Sequence, residues 1–297
     1  LDLNFVAPLG LSETAASSLL GFAVSSALIG CVLGGMVGGV VASALGRKRG
    51  LMIAAVLFII SAVGSAYPEM GFPHGAPHTF LTQFIIYRII GGVGVGLASM
   101  LSPMYIAEMA PASRRGGLVA WNQFAIIFGM LVVYFVNYFI ALNGDEAWLT
   151  STGWRLMFLS EVIPAALLFL LVLGVPESPR WLIMKGREAK AVAILERING
   201  APEAEVEAQS IRRSLHGTVK AKLFSYGVGV IVIGMLLSVF QQFIGINVVL
   251  YYAPEIFRNM GMGTNAALAQ TIIVGVINLS FTVLAIFTVD RFGRRPL

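Results

Sequence analysis

The chain of 297 residues has a single cysteine, three histidines, and only 12% charged residues. Each scarcity excludes a class of protein. Cys31 has no partner for an intrachain disulfide, and its apolar, glycine-rich surroundings argue against redox work. His74 and His78 stand four apart, but in a Pro/Gly-rich stretch (Pro68, Gly71, Pro73, Gly75, Pro77) with no third ligand, so a loop is expected and no metal or cofactor. No nucleophile–base constellation is present, which argues against an enzyme. Charge at 12% is far below the roughly 25% of a soluble domain. Lys and Arg are absent altogether from 1–16, 67–82, 143–153 and 259–264.

Hydrophobic residues fill the space, at 57% of the chain with a mean hydropathy of +0.84. Seven apolar stretches read as membrane spans: 17–45, 51–66, 83–109, 118–142, 154–174, 223–258 and 265–289. Most reach the roughly 20 residues a helix needs to cross a bilayer. The second is short. The sixth is too long, about 52 Å at 1.5 Å per residue, so it must tilt, protrude or break. The net charge of +5 does not mark a nucleic-acid binder, because of where the charges fall. Arg47–Arg49, Arg114–Arg115, Arg180–Lys222 and Arg291–Arg295 occupy alternate loops, while the opposite loops carry Asp2, Glu13, Glu69, Asp145 and Glu146. The positive-inside rule places the basic loops in the cytoplasm. Residues 176–222 break the hydrophobic pattern and read as a charged cytoplasmic linker, with helical stretches at 187–197 and 203–214. Gly46-Arg47-Lys48 after the first span and Gly293-Arg294-Arg295 after the last suggest parallel repeats flanking that linker, as in one class of secondary transporters.

Glycines at Gly30, Gly34 and Gly38, and at Gly35 and Gly39, permit close helix packing in lipid. The run Gly91-Gly92-Val93-Gly94-Val95-Gly96 follows no strand and lies within a span, so it is not a nucleotide loop. Asn278-Leu279-Ser280 is formally a glycosylation sequon, but lies in mid-span.

Polar residues inside the spans carry the functional signal. Arg88 sits within Phe80–Ala110, where a charge is costly unless it is paired or lines a watery pathway. Its structural alternative is to cap backbone carbonyls between helices. Glu161 lies about 10 Å from Trp154 along the fifth span and could pair with it. Gln241, Gln242 and Asn247 place three amides in seven residues around Gly245, where the overlong span can break and expose backbone to a cavity. Amides donate and accept together, which suits sugar hydroxyls; interhelical polar contact is the alternative. Tyr251 and Tyr252 follow, with Pro254 ending the run, and Gln123 and Asn278 add polar groups on other spans. Glu108, Arg115, Glu177 and Asp290 with Arg294 lie at span ends on the basic side. They could latch the two membrane blocks together, or serve as ordinary anchoring charge.

Together Arg88 with Gly91-Gly92, Glu108 with Arg115-Gly116, Pro176-Glu177-Ser178-Pro179-Arg180, Gln241-Gln242-x-x-Gly245-x-Asn247 and Asp290-Arg291-x-Gly293-Arg294-Arg295 resemble the sugar porter family of the major facilitator superfamily. The wording of Ile85–Ala107 and Phe240–Glu255 is similar to its bacterial D-xylose–proton symporter branch. The resemblance implies an all-α integral membrane fold of twelve helices in two six-helix halves. Residues 1–175 would supply helices 2–6, 176–222 the cytoplasmic helical linker, and 223–297 helices 7 and 8. Helix 1 and helices 9–12 would be missing, making this chain a fragment. It further implies proton-coupled import of D-xylose or a similar neutral monosaccharide by a monomer in the bacterial inner membrane. A helix-1 aspartate would partner Arg88 and take the proton, with Glu161 also implicated in coupling. Gln123, Gln241, Gln242, Asn247 and Asn278 match sugar-binding positions. Glu108, Arg115, Glu177, Asp290 and Arg294 match the cytoplasmic charge network. Two departures stand out. Ser43-Ala44 replace the usual acidic or amide residue and Arg, and Met130 replaces a glutamine, which resembles glucose-carrying relatives. A proton-independent uniporter or a transport-inactive sugar sensor of the same fold are the alternatives.

Overall fold

The computed structural model describes residues 5–70, 77–111, 115–216 and 228–292, the side chains at 77, 78, 216 and 289–292 excepted. The described residues form helices and connections, with no strand. Seven helical stretches are long and apolar enough to cross a membrane, the number expected. They are α1 (Glu13–Leu45), α2 (Arg47–Ala66), α3 (Leu81–Met109), α4 (Arg115–Ala141), a composite fifth, a broken sixth, and α13 (Thr264–Phe292). The fifth comprises α5 (Glu146–Trp148), a π-helical turn Leu149–Gly153, α6 (Trp154–Ser160) and α7 (Val162–Gly174). The sixth comprises α11 (Val228–Phe243) and α12 (Ile246–Asn259). Between them lie α8 (Pro179–Met184), α9 (Glu188–Asn199) and α10 (Ala201–His216).

Two breaks have local causes. Gly245 adopts φ +75°, a left-handed conformation that L side chains rarely take, and the overlong span divides there as its sequence suggests. Pro164 has no N–H to offer the Ser160 carbonyl, and the helix loosens at Glu161, whose own N–H bonds back three residues to Phe158 O at 3.1 Å. The second span gains length at its start. Arg47–Arg49 are not a loop but the first turn of α2, because Gly46 alone (φ +94°) connects it to α1.

In the first block α3 is sandwiched between α1 and α2. Gly30, Gly34 and Gly38 of α1 are buried, and a Cβ on Gly30 or Gly34 would strike the backbone of Ile89 or Val93. Gly92 and Gly96 answer from α3 against Ala27 and Cys31. On the other flank, Gly91 meets Ser61 and Gly64 meets the ring of Tyr87. Small residues therefore bring the three backbones together, which in lipid is where packing energy comes from. The helices α2 and α7 pack together, and the second block joins through α13, which lies along α4 with Gly275 against Leu131 and Tyr134. The α8–α10 segment has a small core of its own, made by Trp181, Leu182, Ile183, Ala191, Leu195, Ala204, Ala208 and Ile211.

Candidate functional site

Arg88 lies two turns into α3, just before the glycines that let α1 approach. Its Nη2 reaches the Val24 carbonyl of α1 at 3.4 Å, and its guanidinium stands 5.9 Å from the centre of the Phe158 ring. Among the described residues it makes no ion pair. Glu161 follows Phe158 by less than one turn and makes no ion pair with Arg88. An arginine held by one long carbonyl contact and an aromatic face keeps most of its five donors available.

Gln241 and Gln242 occupy the last turn of α11, and Asn247 the first turn of α12. The left-handed Gly245 folds the two turns back toward each other, so that Asn247 Nδ2 donates to Gln242 Oε1 at 2.8 Å. Gln241, Gln242, Asn247 and Tyr251 are all exposed, as is Gln123 on α4, while Asn278 on α13 is half-buried. The contact of Gly275 with Leu131 and Tyr134 sets the register of α4 against α13. Asn278 lies about 4.5 Å beyond it along α13, and Gln123 about 12 Å from Leu131 along α4, at 1.5 Å per residue. The amide pair is therefore one bonded unit, and Gln123 and Asn278 sit at different depths.

At the basic end the charges form a tight network. Glu177, just before α8, accepts the backbone N–H groups of Arg47 (3.0 Å), Lys48 (3.1 Å) and Ser178 (2.9 Å) through one carboxylate oxygen. A carboxylate there satisfies donors that the start of α2 leaves free and complements its dipole. Gly46 has no room for a side chain, because a Cβ would meet that carboxylate. Arg47 is buried, with Nη2 on Glu108 Oε1 at 2.6 Å and Nη1 on Ala42 O at 3.0 Å. The second Glu108 oxygen accepts Ser178 Oγ at 2.5 Å, and Ser178 caps α8 in turn. Lys48 Nζ reaches Leu173 O at 2.8 Å, Tyr105 OH bonds Pro176 O at 2.8 Å, and Trp181 Nε1 bonds Ser43 O at 3.1 Å. Glu108 and Glu177 are thus linked through Arg47 and Ser178. Arg115 instead lies 3.7 Å from Glu207 of α10, on the surface. The side chain of Asp290 and all of Arg294 lie outside the described residues, as do His74 and the side chain of His78. Arg47 was missed as a site residue. In sequence it is one of three adjacent cations, Arg47–Arg49, and nothing in that run singles it out.

Comparison with known proteins follows the same lines. A family model described as "Sugar (and other) transporter" matches residues 3–297. The D-xylose-proton symporter of Escherichia coli K12 is 60% identical over 100% of this chain and 62% of its own length. The glucose facilitated diffusion protein of Zymomonas mobilis is 39% identical over 100% of this chain and 63% of its own. The chain thus spans about three fifths of these relatives. Among solved structures, the proton:xylose symporter XylE bound to 6-bromo-6-deoxy-D-glucose superposes with a TM-score of 0.92 at 60% identity, covering 99% of this chain and 64% of that one. The partially occluded inward-open form of XylE from E. coli gives 0.90 at 59% identity, covering 99% and 67%.

Proposed function

Because the chain belongs to the sugar (and other) transporter family, we propose that the protein imports D-xylose or a similar neutral monosaccharide together with a proton, by alternating access across the bacterial inner membrane. The observation that carries this reading is 60% identity, along the whole chain, to a D-xylose-proton symporter. The side chains supply compatible chemistry. Gln241, Gln242, Asn247 and Tyr251, with Gln123 and Asn278, offer donors and acceptors for hydroxyl groups. Arg88 keeps donors free for a carboxylate, which the family resemblance places on the first helix of these transporters. In the proposed cycle that carboxylate takes a proton from outside and releases Arg88, sugar fills the amide-lined cavity, and the halves rock. Deprotonation on the inside restores the Arg88 pair, with Glu161 tuning its field. The Glu108–Arg47–Ser178–Glu177 network, with Arg115, Asp290 and Arg294, holds the cytoplasmic end. The partners are the sugar, a proton and the bilayer, with a monomer as the working unit and the basic loops facing the cytoplasm.

The test is labelled D-xylose uptake into proteoliposomes holding the protein at the full length of its relatives, with and without an inward proton gradient. Accumulation only with the gradient is the expected result. A second reading rests on Met130, where the resemblance expects glutamine, and on identity to a glucose facilitator. Equal equilibration with and without the gradient, with D-glucose competing, would establish that uniporter instead. Uptake of neither sugar would overturn both.

A further inference from the structure

The half-helix α12 contains Pro254, which has no N–H, so the Leu250 carbonyl four residues earlier loses its usual helical donor. The donor comes from the other block. Tyr134 of α4 gives its hydroxyl hydrogen to Leu250 O at 3.0 Å. Gly275 of α13 packs close against the ring, where an added Cβ would stand only 2.9 Å away. Leu250 and Ala253 are the buried residues of α12, and the bond itself is part-buried. A second bond crosses between the blocks nearby, from Thr264 Oγ1 at the start of α13 to Glu146 Oε1 at 3.1 Å. Both lie toward the end opposite the basic loops, the outer end in the orientation proposed above.

We infer that Tyr134 is a positioning residue for the closed outer end: from the first block, it completes the half-helix of the second by donating to the carbonyl that Pro254 leaves open. The inference rests on the alternating-access reading. With the outer end closed, the carbonyl is dry and must be satisfied by protein. With it open, water can take over, so the Tyr134 bond favours one state over the other, which is the requirement for biasing a conformational equilibrium. Tyr251 follows Leu250 directly, and Asn247 precedes it by three residues. The bond therefore also orients candidate sugar contacts on α12 relative to α4.

The experiment places spin labels at Leu142→Cys and Met262→Cys, one on each block at the outer end. It uses the full-length protein in lipid, otherwise free of cysteine and without sugar, and measures the ratio of long to short label distances. Tyr134→Phe keeps the ring and removes the hydroxyl. It should raise the open-to-closed ratio about tenfold, the effect of losing one buried hydrogen bond. In a Pro254→Ala background the helix supplies its own donor, and Tyr134→Phe should then change the ratio less than about twofold. An unchanged ratio in the first case, or the same change in both backgrounds, would reduce Tyr134 to a packing residue. No sugar enters the measurement, so failure of wild-type uptake would overturn the substrate reading and leave this result standing.

Discussion

Gln242 has one structural bond already in place and one group left over. Its carbonyl already accepts from Asn247, which fixes the side chain and leaves its NH2 for a ligand. Gln242→Ala should therefore lose a direct contact and also release Asn247. Affinity for D-xylose, read by isothermal titration of the full-length protein, should fall about tenfold or more, since hydrogen bonds in such sites contribute roughly 1 kcal/mol each. Unchanged affinity would remove the cluster from the site. Arg88→Leu belongs to a different term of the cycle. It should abolish gradient-driven accumulation while sugar exchange between equal compartments persists; normal accumulation would leave Arg88 a purely structural residue. Arg88 was legible from sequence because a cation within an apolar run has few explanations. Arg47 was not: it stands beside Lys48 and Arg49, where every cation looks like an orientation signal. Only its burial, at 8% exposure, and its bond to Glu108 separate it from its neighbours.

Helices and their breaks were largely written in composition, since length and hydropathy mark the spans and Gly245 marks the division of the sixth. Which face of a helix is buried was less visible. Gly34 and Gly35 belong to two glycine rows of α1 that look alike in sequence, yet only the row of Gly30, Gly34 and Gly38 is buried. The difference depends on the rotation of α1 about its axis, which a contact with a distant helix decides. Gly34→Leu would drive a side chain into the Val93 backbone, where nothing flexible can yield. A Cβ at Gly35 meets nothing within 4 Å, and the position is exposed, so Gly35→Leu has room to point outward. The first should abolish the monodisperse peak in size-exclusion chromatography after detergent extraction, and the second should leave it intact. Equal behaviour of the two would mean that α1 and α3 do not pack through this row. The break at Glu161 was equally hidden. It follows from Pro164 withholding a donor from Ser160, an effect felt four residues before its cause.

On the scale of the molecule, the pairing of α4 with α13 and the link from Tyr134 to Leu250 join residues more than a hundred positions apart, and no periodicity in a single sequence reports such a contact. Orientation is different, because it rests on charge arithmetic. Seventeen of the 20 Lys and Arg fall in alternate connections or the span ends beside them, which share a face if every span crosses. Moving that many cations across the bilayer against the insertion bias is costly, so the whole chain should be committed to one topology. The network around Glu177 deepens the commitment, since it ties the basic starts of α2 and α8 into one body that inserts on one side. The expectation is specific. With Cys31→Ser as background, a membrane-impermeant maleimide added to intact cells should label Leu142→Cys, at the exposed end of α4. It should label Glu203→Cys, on the linker helix α10, only after the cells are permeabilised. Labelling of the α10 position in intact cells would invert the protein.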